Sequence, residues 1–397
     1  MRTDFSSQIL ATSSGARANE ILRACVHCGF CNATCPTYQL TGDELDGPRG
    51  RIYLIRELLQ GSEDIDRVTR HLDRCLTCRA CETTCPSGVA YGELAEIARN
   101  HLGPERDGLN GRLRKLLQWM VPVPRRLRAM ARLGRAFRWF APPRFAKNLP
   151  ARVGKPLAVD SDSATRVLLL NGCAQQVNSA ATNEHLAQLL QTHDIGVKTI
   201  AEEACCGGLD LHLGDDSAAL GYVRRNVDAL HPLLDEIDAV LSTASGCGVT
   251  VKDYGRLLEH DEHYAQRAAE VAAKTLDVSE YLVHKDLSLA ATQPGMRVAW
   301  HSPCTLQHGQ QLNGVVEKML QGAGYELTSV PDAHLCCGSA GTYSMLQPTL
   351  AEQLKQNKIA ALSSDEPDII ATANVGCQTH IAAGAKLPVL HWIELLK

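Results

Sequence analysis

The chain has 397 residues, 45% of them hydrophobic and 21% charged, a composition that excludes overall disorder and is long enough for two or three ordinary cores. The formal net charge of −4 gives no general reason to expect nucleic acid, and no apolar run approaches the roughly 18 residues of a spanning helix. The unusual number is sixteen cysteines.

The segment MRTDFSSQILATSSGARANE carries Asp4 and no apolar stretch, so no secretory signal and no disulfide scaffold are expected. The thiols then read as metal ligands, redox groups or core. Eight of them form a doubled run. Cys25, Cys28, Cys31 and Cys35 recur as Cys75, Cys78, Cys81 and Cys85, each displaced by 50 and each run closed by a proline, Pro36 or Pro86. Cys-x2-Cys-x2-Cys-x3-Cys-Pro is the bacterial pattern for 4Fe-4S clusters, whose irons need thiolates at fixed angles. Three closely spaced sulfurs wrap three corners of one cube while the fourth points away to the other. That assigns Cys25, Cys28, Cys31 and Cys85 to a first cluster, and Cys75, Cys78, Cys81 and Cys35 to a second. Zinc sites normally present their ligands as two separated pairs. Between the runs, Ile52, Ile55, Leu58 and Leu59, then Ile65, Val68 and Leu72, fall at helical spacing. Residues 15–100 therefore read as a mainly helical two-cluster ferredoxin-like domain. Two adjacent clusters make a one-electron relay that splits a two-electron donor into single steps.

Residues 101–163 read as a basic, aromatic connector. Between 101 and 150 stand twelve Lys/Arg (Arg106, Arg112, Arg114, Lys115, Arg125, Arg126, Arg128, Arg132, Arg135, Arg138, Arg144 and Lys147) against Glu105 and Asp107, a local +10 that leaves −14 for the rest. Trp119, Phe137, Trp139, Phe140 and Phe145 alternate with these cations, and Pro122, Pro124, Pro142 and Pro143 divide the segment into short helical pieces. One reading is a linker helix pair with a solvated basic face. Another is a surface that docks on a membrane or an acidic partner, because aromatic rings beside cations suit a headgroup interface. Nucleic acid is a third and is not expected.

From residue 164 the pattern is α/β, again doubled. Cys173, Cys205, Cys206 and Cys247 recur as Cys304, Cys336, Cys337 and Cys377, displaced by 131, 131, 131 and 130. Strands are expected at Val167–Leu170, Val197–Ile200 and Ala239–Thr243 in the first copy, and at Val298–Trp300, Glu326–Val330 and Ile369–Thr372 in the second, with helices between. Each copy sets its cysteines just past strand ends, where open parallel sheets place their ligands. Residues 164–285 and 295–397 thus read as two α/β Cys-Cys-Gly modules. His301, His308 and His380 lie near these cysteines and read as hydrogen-bonding residues rather than ligands. The chain shows no Gly-x-Gly-x-x-Gly fingerprint, Gly-x-x-x-x-Gly-Lys loop or Gly-x-Ser-x-Gly elbow, so no catalytic residue and no substrate site are expected on it.

Two ferredoxin motifs followed by two Cys-Cys-Gly modules resemble the iron-sulfur subunits of membrane-associated dehydrogenases, a group that includes heterodisulfide reductase and anaerobic glycerol-3-phosphate dehydrogenase subunits. More narrowly, CVHCGFCNATCPTYQLTGDELDGPRGRIYLIREL at 25–58, TASGCG at 243–248, CTLQH at 304–308, HLCCGSAGTYS at 334–344, TANVGCQTH at 372–380 and HWIEL at 391–395 resemble the iron-sulfur subunits of bacterial glycolate oxidases. The likeness covers almost the whole chain and is weakest at 101–160. It implies two 4Fe-4S clusters, FAD-binding partner subunits that oxidise glycolate, or D-lactate, and electrons passing toward membrane quinone. It also implies a cytoplasmic place at the inner face of the inner membrane. The alternatives are a subunit for glycerol-3-phosphate or lactate oxidation, or an iron-sulfur scaffold without turnover. The heterodisulfide reductase module ends in Cys-x-x-Cys and supplies five ligands; here Ala244 and Asn374 replace the first cysteine of that pair. Four thiols per module remain, enough for a further cluster, a zinc ion or a dithiol pair, or for a redox-silent buried role.

Overall fold

The computed structural model describes residues 1–61, 64–137, 139, 152–161 and 163–397. In the first region, Gly47 leads into Pro48, whose fixed φ suits the first turn of the Pro48–Leu59 helix. Ile52, Ile55, Leu58 and Leu59 form its buried face. Asp64 caps the next helix, Ile65–Asp73, by accepting from the Arg67 N–H; Val68 and Leu72 are buried there, while Ile65 faces solvent. Helices Ser13–Ala24 and Tyr91–Leu102 close over this pair, and Ile21, Leu22, Ile55, Leu72, Leu94 and Ala98 join one core.

The connector contains helices Gly108–Met120 and Pro124–Ala136, separated at Pro122 and Pro124. Part of its positive charge is structural. Arg106 and Arg114 both pair with Asp73 at 3.1 and 3.2 Å, Arg114 also donates to the Leu213 carbonyl at 2.8 Å, and Arg128 donates to Gln176 at 2.8 Å. The helix pair straps the helical region to the first module. Its outer surface keeps Arg112, Lys115, Arg125, Arg126 and Arg132 exposed. Arg138, Phe140, Pro142, Pro143, Arg144, Phe145 and Lys147 lie outside the described residues.

Two four-stranded parallel sheets follow. The first contains β1 (Thr165–Leu169), β2 (Ile195–Lys198), β3 (Ala239–Ser242) and β4 (Thr275–Asp277) in the order β2-β1-β3-β4. The second contains β5 (Arg297–His301), β6 (Glu326–Leu327), β7 (Ile369–Thr372) and β8 (Val389–His391) in the order β6-β5-β7-β8. The helical region followed by two parallel-sheet modules is the architecture read from the sequence. The edge strands β4 and β8 carry no comparable sequence signal. Residues 157–161, assigned to the connector on sequence, lie along the edge of the first sheet, with Thr199 donating to the Val159 carbonyl and Ser161 to that of Val197.

The sheets do not stand on separate cores. Val167, Leu169 and Leu241 of the first and Val298, Trp300 and Ala371 of the second belong to one continuous apolar layer that ends on Trp392. The seam also carries polar bonds: Ser245 N–H donates to the Ala373 carbonyl at 3.1 Å, and His391 Nε2 donates to that of Thr243 at 2.9 Å. In each sheet the order reverses between the first and third strands, so the crevice at their carboxyl ends is the natural ligand position.

Candidate functional site

Each ferredoxin-type run must turn sharply to bring sulfurs three residues apart around one point. The backbone does so with left-handed residues at equivalent positions: His27 (φ 57°) and Gly29 (φ 86°) in the first run, Thr77 (φ 51°) and Arg79 (φ 60°) in the second. Gly29 meets this turn without the strain an L side chain would carry at φ 86°, and a Cβ there would also displace the part-exposed Arg49 guanidinium, 2.7 Å away. The two runs touch through Thr34 Oγ1, which donates to the Ala80 carbonyl at 3.2 Å, and Thr84 Oγ1, which donates to Thr34 Oγ1 at 3.1 Å.

Two cavities result. One is lined by Cys25, Cys28, Cys31 and Cys85, with Cys81 also in its lining, and the other by Cys35, Cys75, Cys78 and Cys81. Both groupings are those assigned from spacing, with the fourth cysteine of each run crossing to the other cavity. None of the sixteen cysteines forms a disulfide. Four convergent thiols in a cradle of fixed turns fit the donor set of a 4Fe-4S cluster.

Burial raises the Cys31 thiol to about 11 and raises Cys25, Cys78 and Cys81 as well. Cys75 moves the other way. Its burial is outweighed by the guanidiniums of Arg51 and Arg99, with further help from the Tyr91 hydroxyl and the Thr77 N–H. Arg51 is 1% exposed and donates to the His71 carbonyl at 2.8 Å and to Thr37 Oγ1 at 3.1 Å, with Cys35 Sγ at 4.0 Å. Asp46, wholly buried, pairs with Arg51, His71 and Arg74 at 3.6, 2.8 and 2.8 Å. Sequence reasoning missed this cation-carboxylate frame; an arginine beside Gly50, in the first turn of an otherwise apolar helical face, was its only available signal.

In the modules, Cys173 follows β1, Cys205 and Cys206 follow β2, and Cys247 lies in the first turn of helix Ser245–Lys252 after β3. Cys173 and Cys205 Sγ are 3.6 Å apart; the neighbouring thiols of Cys205 and Cys247 lower Cys206 against its burial, while Cys205 and Cys247 are themselves raised. The second module repeats the arrangement, with Cys304 and Cys336 Sγ 3.8 Å apart and Cys337 neighboured by the Cys336 and Cys377 thiols, but all four of its thiols are raised. Ala244 and Asn374 both fall on the seam between modules: the chain turns there into helices Ser245–Lys252 and Val375–Ala382, and Asn374 caps the latter. The region around Cys78 packs directly on the second module, where Leu76, Cys336, Tyr343, Ala351 and Leu354 form one apolar patch edged by Cys78 and Cys304. Thr83 also donates to His308 Nδ1 at 2.9 Å, and His308 Nε2 donates to the His334 carbonyl at 3.0 Å.

Comparison with known proteins matches this geometry. Residues 21–89 match the 4Fe-4S dicluster domain family, and residues 167–252 and 298–382 each match the cysteine-rich domain family. The class is therefore that of iron-sulfur proteins joining a dicluster domain to a pair of cysteine-rich modules. The chain is 47% identical to the glycolate oxidase iron-sulfur subunit of Escherichia coli (strain K12), over 100% of this chain and 98% of that one. It is 30% identical to the probable glycolate oxidase iron-sulfur subunit of Bacillus subtilis (strain 168), over 94% and 92%. The chain belongs to the family of glycolate oxidase iron-sulfur subunits. One subunit of the fumarate reductase (CoM/CoB) of Methanothermobacter marburgensis is a more distant relative, 24% identical over 91% of this chain and 67% of its own. A solved structure of a hypothetical protein from Helicobacter pylori shares the fold at a TM-score of 0.56 and 9% identity, over 96% of this chain and 71% of that one. Among the described residues, no helix is long and apolar enough to cross a membrane.

Proposed function

We propose that this chain is the electron-transfer subunit of a glycolate-oxidising complex and that it carries two 4Fe-4S clusters. Cys25, Cys28, Cys31 and Cys85 would hold the first, and Cys75, Cys78, Cys81 and Cys35 the second. Such clusters, when bound, take up and release one electron at a time. The protein's part is to hold the thiolates in fixed turns, to set buried arginine charge beside the second group, and to keep the first near the surface. Cys28 is exposed, as are Val26 and Phe30 beside it, at 68% and 61%. That is where an FAD-binding partner would deliver electrons taken from glycolate or D-lactate. The observation that carries the relay is the pair of cavities that share Cys81 in their linings, the first beside the exposed Cys28 and the second beside Leu76 and Cys78, which pack on the second module.

The Cys28→Ala variant should lose glycolate-dependent reduction of an artificial acceptor by the assembled complex while the flavin partner still reduces. Unchanged turnover overturns the relay. About eight irons and eight acid-labile sulfides per anaerobically purified chain are expected from these two sites. Iron or zinc beyond that belongs to the cysteine-rich modules.

We also place the chain on the cytoplasmic face of the inner membrane, delivering electrons to a quinone-linked acceptor. Trp119, Leu133, Phe137 and Trp139 are 51%, 52%, 55% and 94% exposed, close to the exposed cations of the connector. Arg125 and Arg132 are concentrated enough to depress Arg128, which burial already lowers. Replacing Arg125 and Arg132 by Glu should release the complex from anionic-lipid vesicles; retained binding returns the segment to the role of a strap between regions.

A further inference from the structure

The second module holds one histidine that the rest of the structure does not use. His301 ends β5, is 2% exposed, and neither Nδ1 nor Nε2 has a hydrogen-bond partner. The neighbouring buried histidines differ: His308, His380 and His391 each reach a backbone carbonyl, which accounts for them as hydrogen-bonding residues. An imidazole with both nitrogens shut away from water and unpaired costs stability, so such a group calls for a partner that is not a protein atom.

Its surroundings supply the nature of that partner. One ring nitrogen of His301 and the sulfurs of Cys337 and Cys377 lie within 4.8 Å of one another, all three residues buried. Ligands of one tetrahedral transition-metal ion stand roughly 3.3–3.8 Å apart, so small side-chain rotations close the set. Cys336 and Cys304 continue the row of sulfurs. Asn374 Nδ2 points at Cys377 Sγ from 3.9 Å, a donor suited to a thiolate. Lys358, 3% exposed, brings a buried ammonium to the same sulfurs and is anchored on the Asp332 and Ala333 carbonyls at 2.9 and 3.3 Å. A buried cation beside a thiol cluster is compensated when the cluster carries negative charge, as a metal-thiolate centre does.

The first module is the internal control. Val167-Leu168-Leu169-Leu170-Asn171-Gly172-Cys173 aligns with Val298-Ala299-Trp300-His301-Ser302-Pro303-Cys304 at the repeat displacement of 131, so Leu170 stands where His301 does. The turn of helix Asp216–Leu230 corresponding to Lys358 carries Asn226 and Val227. The four thiols were copied; the imidazole and the ammonium were not.

We propose that His301 is the nitrogen ligand of a transition-metal centre in the second module, with Cys337 and Cys377 as its nearest sulfur ligands, and that the first module has no equivalent centre. The donor set is imidazole plus thiolate, which suits zinc or the iron of a cluster. His301 thereby supplies a donor in a module whose Cys-x-x-Cys pair has lost one to Asn374. Because Cys304 and Cys336 lie in the apolar patch that Cys78 edges, this centre would sit directly against the second ferredoxin-type cavity. The inference stands on the module's own geometry and does not depend on which substrate the complex oxidises.

The test is made on the full chain, purified anaerobically, by iron and zinc analysis and by X-ray absorption at both metal edges. It is joined by electron-nuclear spectroscopy of the reduced protein carrying 15N-labelled histidine. The expected result is a metal in excess of the two ferredoxin-type clusters with one nitrogen among its sulfur ligands; the edge at which that nitrogen is seen separates zinc from iron. His301→Leu, which installs the residue of the first module, should lower occupancy of that centre more than about tenfold while the other clusters keep their spectra. His301→Cys should retain the metal and lose the nitrogen signal. Cys206→Ser in the first module should leave the centre unchanged. No metal beyond the two clusters in the wild type, no histidine nitrogen on any metal, or full occupancy in His301→Leu would each overturn the proposal; the wild-type spectra decide even if a variant fails to fold.

Discussion

The two ferredoxin-type runs have the same spacing and the same left-handed turns, yet they sit in opposite environments. Val26 and Phe30 of the first are 68% and 61% exposed, whereas Leu76 and Ala80, their counterparts fifty residues on, are 6% and 1% exposed. The first run faces outward; the second is clamped between Arg51, Arg99 and the second module. Ligand spacing is a local property that a repeat duplicates faithfully. What surrounds the ligands depends on the elements that pack against each copy, and there the two halves differ; under the proposed function one would meet a partner and the other would pass charge inward.

Arg51 tests that division most severely. Its guanidinium is buried with Asp46 and lies beside Cys35 and Cys75, so Arg51→Met takes one of three partners from a wholly buried carboxylate, which keeps Arg74 and His71 at 2.8 Å. An uncompensated buried charge costs about 3–5 kcal/mol; with Arg74 and His71 still on Asp46 the loss should be smaller, and should appear as a lower urea midpoint. The second cluster should also become harder to reduce, since the nearby positive charge that favours the extra electron is gone. The first cluster's potential should hardly move. Equal shifts at both clusters would erase the contrast.

The paired modules differ in the same manner at the ends of their edge strands. Asp277 ends β4 and His391 ends β8; both are wholly buried and each caps the short helix that follows. Burial pushes Asp277 up to about 6, with Glu280 raising it further and Ser279 and Lys252 opposing; it pushes His391 down to about 4, against its bonds to the Thr243 and Ala373 carbonyls. An acid with a raised folded pKa loses its stabilising proton as pH rises, so Asp277 weakens the fold from its ordinary value near 3.8 up to about 6. A base with a lowered folded pKa weakens the fold as pH falls, so His391 acts from 6.5 down to about 4. Each is worth roughly 1.4 kcal/mol per pH unit where both windows overlap, about 3 kcal/mol in all, and the two slopes oppose. Urea midpoints of the wild type between pH 5 and 6 should be nearly flat from these groups. His391→Gln should become less stable with rising pH and Asp277→Asn more stable; identical profiles would show that neither group titrates as its burial requires.

Much of this was legible in the sequence for a physical reason. Cysteine spacing anticipates which sulfurs line one cavity, and the runs Val167–Leu170 and Ile369–Thr372 fill central strands whose two faces are both covered. The strands that escaped notice, β4 and β8, are three-residue edges, and β8 ends on a buried histidine rather than an apolar residue. The surroundings of the thiols escaped for another reason. Arg51, Lys358 and His301 are polar residues in the interior, and nothing in their local sequence distinguishes a buried, compensated charge or imidazole from a solvated one. His301 in particular reads from sequence as an ordinary hydrogen-bonding residue, and only the three-dimensional arrangement shows that it bonds to nothing.

The smallest expected effect comes from comparing equivalent positions of the two runs. Leu76 packs with Tyr343, Ala351 and Leu354 across the boundary between the helical region and the second module, and Leu76→Ala removes apolar volume there. The cost should lie near the low end for buried leucine, about 2 kcal/mol, because a boundary between regions can close part of the space. Val26→Ala, at the same place in the first run, should change the unfolding free energy by less than about 0.5 kcal/mol, since Val26 is exposed. Its effect should appear in the assembled complex as weaker association with the flavin partner. If Val26→Ala destabilises the isolated chain as much as Leu76→Ala, the first run is not an outward face. If Leu76→Ala costs nothing, the second run is not clamped, and the route from the second cavity toward the second module loses its structural basis.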